Sequence, residues 1–173
     1  EAVEFVDRLA SLEDDMGRRS RLRMTNGALL RDHLADGERA LRYFQASLDD
    51  DPSRDDAFEA IVALHEATGN WTEVERTLRR GLERVAVDPS TEGLRRRHAL
   101  CVRLATVLSD KLARGDEAHA ALSIAAAALN VVWPFLGRKT WKLAFAFGLI
   151  HGFGFASVLG DLTGGVSNLA LAL

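Results

Sequence analysis

Cysteine occurs once in the 173 residues, at Cys101, so an internal disulfide is excluded. Proline occurs three times, and only Pro52 and Pro89 fall within the first 120 residues. No stretch alternates apolar and polar residues over several positions, which argues against β-strands. Formal charge nearly vanishes after residue 120, where only Arg138, Lys139, Lys142 and Asp161 carry any. The net charge of −3 gives no basis for binding nucleic acid. No serine or cysteine sits in an elbow or dyad motif, so a non-enzymatic role is expected. The chain opens without methionine or a signal sequence and stops inside the apolar run "NLALAL". It is expected to be a piece of a longer protein, or two pieces joined.

What the first 120 residues do have is helical periodicity. Ala2, Phe5, Val6, Leu9, Leu12 and Met16 recur at three- and four-residue steps. So do Leu41, Phe44 and Leu48, then Phe58, Ile61, Val62 and His65. Two further sets are Trp71, Val74, Leu78, Leu82 and Val85, and Cys101, Leu104, Ala105, Leu108 and Leu112. The opposite faces are rich in arginine and carboxylates, the pattern of half-buried helices.

The breaks between helices also recur. "DG" at Asp36-Gly37, "GNW" at Gly69 to Trp71 and "RGD" at Arg114 to Asp116 each precede a small or branched apolar residue: Ala40, Val74 and Ala118. The first two lie 34 residues apart and the next step is 44, with the extra length assigned to the polar segment around "VDPSTEGLRRR". Pro52 and Pro89 punctuate the helix pairs, since proline cannot continue a helix. A helix–turn–helix period of 34 marks a tetratricopeptide-like solenoid. "GERALRYFQASLDDDP" resembles the second half of such a repeat at Ala40, Phe44 and Pro52, with Ser47 replacing a usual alanine. The first half fits poorly at Met24, Gly27 and Arg31. The expectation is a degenerate array of about three repeats over residues 1–117, with residues 1–16 the second helix of an earlier unit. Stacked helix pairs present a long concave surface, so a protein partner is expected there.

Other features have plain readings. Cys101 lies on an apolar helical face and is expected to be a packed thiol. "HEATG" at His65 lacks the second histidine that a zinc-protease pair needs, since position 69 is glycine. "RGD" reads as an inter-helix turn. Arg95, Arg96 and Arg97 have acidic neighbours and fall short of the basic clusters that bind anionic lipid.

The last third differs. From Ala118 to Leu136 only His119, Ser123 and Asn130 are polar, about the length that crosses a hydrocarbon core. "GRKTWK" breaks this run, and Leu143 to Gly160 then carries no formal charge apart from His151. Two spans joined by a short basic loop predict a transmembrane helical hairpin over 118–173, with Trp133 and Trp141 as interfacial anchors. Ala144, Gly148, Gly152, Ala156 and Gly160 fall every four residues and would form a stripe for close helix packing in lipid. His151 stands beside that stripe, and an ionisable group inside a span is a candidate metal ligand or proton relay; a hydrogen bond across helices is the structural alternative.

"ALNVVWPFLGRKTWKLAFAFGLIHGFGFASVLGDL", and above all "FGLIHGFGFASVL", resembles the HupE/UreJ family of bacterial membrane proteins over residues 121–173. The resemblance implies an inner-membrane helical bundle and movement of nickel or another divalent cation, with His151 as a metal-pathway residue. The chain lacks the family's first His/Asp-rich membrane helix, and one imidazole is not a metal site, so transport by this chain alone is not expected.

Taken together, an all-α chain is expected: a TPR-like solenoid at 1–117, then the membrane hairpin at 118–173. It would be a membrane-anchored scaffold for protein–protein interaction, with a metal-permease fragment as the alternative. The expected place is the bacterial inner membrane with the repeats in the cytoplasm. Arg138, Lys139 and Lys142 favour a cytoplasmic loop, whereas Arg103, Lys111 and Arg114 pull the other way, as in a chain joined near Ala118 to Ser123.

Overall fold

The computed structural model describes residues 1–86 and 88–132, together with Phe145 and Gly148. These residues are helical throughout, without strands. The elements are α1 (Ala2–Leu12), α2 (Met16–His33), α3 (Gly37–Asp50), α4 (Asp55–Ala67), α5 (Trp71–Val85), α6 (Thr91–Asp110) and α7 (Gly115–Val132). Each helix packs mainly on the next in sequence, so the described chain runs as a row of antiparallel helices.

The sequence period appears as a backbone event. α2, α4 and α6 are each followed by a residue in the left-handed region: Ala35 (φ 51°), Gly69 (φ 68°) and Ala113 (φ 54°). Chain reversal there lets the next N–H reach back to a free carbonyl of the finished helix. Asp36 N–H donates to Leu30 O (3.0 Å), Asn70 N–H to His65 O (2.9 Å) and Arg114 N–H to Leu108 O (2.8 Å). Asp36 and Asn70 then cap the following helices by accepting from the N–H groups of Arg39 and Glu73. Ala40, Val74 and Ala118 fall at the same place in α3, α5 and α7, and all three are buried. The longer second step is mostly helix: α6 has 20 residues where α4 has 13. The polar "STEGLRRR" is thus the cap and first turns of α6, begun by Ser90 accepting from Gly93 N–H at 3.0 Å.

α2 had no apolar face legible in the sequence, and it packs by other means. Its buried residues are Ser20, Asn26, Gly27 and Leu30. The Ser20 hydroxyl lies 2.8 Å from Ser47 O and the Ser47 hydroxyl 2.8 Å from Ser20 O, so two buried hydroxyls tie α2 to α3. Asn26 donates to Val3 O across to α1 at 3.1 Å. Gly27 gives room to the fully buried ring of Phe44, and Arg31 lies over that ring at 5.6 Å. Two positions that depart from the repeat pattern, Gly27 and Arg31, thus meet at the aromatic that fits it.

α1 corrects an expectation. The predicted apolar face at Phe5, Leu9, Leu12 and Met16 is exposed, and Val3 and Ala10 are buried instead. Among the described residues, α1 is covered only on the side that meets α2 and Tyr43 of α3. Tyr43 reaches back from α3 to Asp7 at 3.0 Å on that side.

α7 differs from the predicted first membrane span. It starts at Gly115 with Asp116 and Glu117 in its first turn. Its Ala118, Ala121, Ala125 and Ala128 are buried, and it packs closely along α6. The small alanine face permits that close approach, and His98 on α6 meets Ala125 O at 2.9 Å. One apolar core runs from Val3 through Leu30, Phe44, Ile61, Leu78 and Leu108 to Ala121, so it does not stop at residue 117. Among the described residues no helix is long and apolar enough to cross a membrane.

Candidate partner-binding cleft

A cleft of about 570 Å³ opens where the start of α4, the end of α5 and the first half of α6 meet. Phe58, Val85 and Leu100 make its apolar part. Gly81 lets α4 pack closely on α5: a Cβ there would lie 2.8 Å from the buried Phe58 ring and 3.4 Å from Leu100. Glycine inside a helix costs about 1 kcal/mol relative to alanine. That cost in an otherwise strongly amphipathic helix is the sequence signal of the close approach of the Phe58 ring.

The rim is charged, and most of its charges are already engaged. Asp55 pairs with Arg96 at 2.9 Å, and Glu59 with Arg103 at 2.7 Å. Asp88 accepts from Ser90 N–H at 2.9 Å, and hydrogen bonds from Ser90 hold its carboxyl below the usual range. Arg54 donates to Asp56 through Nε at 2.9 Å, which lowers the Asp56 pKa. Arg84 is the rim arginine with no ion pair among the described residues.

A second cluster braces the row. Glu75, with its side chain 10% exposed, accepts from Arg79 Nε (2.8 Å) and Arg114 (2.7 Å). Glu117 accepts from the same two arginines, each at 2.7 Å. This closed ring joins α5, the α6–α7 turn and the start of α7. The "RGD" triplet is the predicted turn, and its arginine belongs to the ring. Arg103 binds Glu59 and Glu66 of α4, and Lys111 lies 4.8 Å from the Trp71 ring. The basic residues that opposed the loop charges in the topology argument therefore have partners within the row.

The predicted packed thiol is as expected: Cys101 is 1% exposed and burial raises its pKa. Burial lowers the pKa of His65, and its neighbour Glu66 is held by Arg103 at 2.9 Å. No group of three or more metal-ligating side chains is assembled among the described residues. The predicted metal residue His151 and the stripe residues Ala144, Gly152, Ala156 and Gly160 lie outside the described residues. Gly148 is helical, with open space where a Cβ would sit.

Residues 98–173 match the family model described as HupE / UreJ protein. No curated protein and no solved structure matches the chain. The match opens at His98, within α6, and so takes in most of α6 and all of α7 before the stretch in which the resemblance was seen. From His98 to its last residue, the chain is similar to HupE/UreJ proteins.

Proposed function

We propose that this chain joins a helical-repeat module to a HupE/UreJ-type membrane segment, and that the module recruits a protein partner to that membrane. The observation that carries this reading is the overlap of the two parts. The family match begins at His98, yet α6 and α7 share one core with α1–α5. In this reading the row of helices is a tetratricopeptide-like array, supported by the left-handed stops at Ala35, Gly69 and Ala113. Its role is binding, without catalysis, and the HupE/UreJ match supports a location at the bacterial inner membrane. The test is membrane fractionation of the full chain followed by alkaline carbonate extraction and protease accessibility. Retention in the washed membrane with cytoplasmic cleavage of the array is the expected result. Release by carbonate sinks the anchor.

The family match favours a second reading, in which the C-terminal part belongs to a nickel or divalent-cation permease and His151 lies on the metal path. Nickel binding by detergent-solubilised protein, compared with His151→Ala, tests it. Equal binding by the two proteins retires that role for His151.

A further inference from the structure

We draw no further inference here: the strongest candidate, the exposed apolar face of α1 at Phe5, Leu9 and Leu12, carries nothing, because nothing among the described residues shows what covers it.

Discussion

Ala35 and Ala113 hold a backbone conformation that favours glycine, whereas Gly69 supplies one at the matching stop. A Cβ in the left-handed region costs about 1–2 kcal/mol, partly offset by the greater chain entropy of glycine when unfolded. Ala35→Gly and Ala113→Gly are therefore expected to stabilise the fold by about 0.5–1 kcal/mol each. Gly69→Ala should destabilise it by a similar amount, although nothing crowds the site. Urea titration followed by circular dichroism checks all three. Gly27→Ala tests a different property, because its Cβ would meet the buried Phe44 ring. Overpacking of this kind costs about 1–3 kcal/mol. The sequence made the repeated Ala40, Val74 and Ala118 legible but hid these stops, because two of the three are alanine. It marked Ser47 as a departure from alanine without showing why. The reason is Ser20, which lies 27 residues earlier and is brought close only by folding.

Among elements, legibility followed amphipathicity. α3 and α5 carry apolar stripes on charged helices and were plain in the sequence. α2 buries serine, asparagine and glycine, so no apolar period announces it. α7 is rich in alanine, which serves close helix packing in water or in lipid alike, and composition alone could not separate the two. The ring of Glu75, Arg79, Arg114 and Glu117 was also invisible, since its members are spread over 43 positions of separate helices. It makes a pH prediction. The side-chain hydrogen bond from Arg114 lowers the Glu117 pKa. A lowered carboxylate contributes stability that is fully present above its unfolded value, about 4.3, and is lost as pH falls through the folded value. Melting temperature should therefore fall on acidification below that point. In Arg114→Gln the fall should be shallower. An unchanged acid limb in the variant would remove the ring from the account.

At the scale of the whole molecule, stability passes between neighbours, because each helix packs chiefly on the next. Hydrogen exchange should accordingly be slowest in α2 to α6, where both sides are covered, and fastest in α1, whose outer face carries exposed Phe5, Leu9 and Leu12. Equal protection along the row would mean a single cooperative unit. The all-α character and the helix pairs were legible because period and breaks agree over more than a hundred residues. The extent of the core was not, because the fall in charge after residue 120 suggested a change of solvent where the packing continues.

The bond between His98 and Ala125 O sits at the opening of the family match and well inside the row. A protein trimmed at that family limit would begin about a third of the way into α6, stripping Gly93 and Leu94 from the helix that α7 leans on and leaving Arg79 and Glu75 behind without Arg114 and Glu117. The two parts therefore share a strut, and neither can be excised there without leaving the other with a raw apolar side and half an ionic cage.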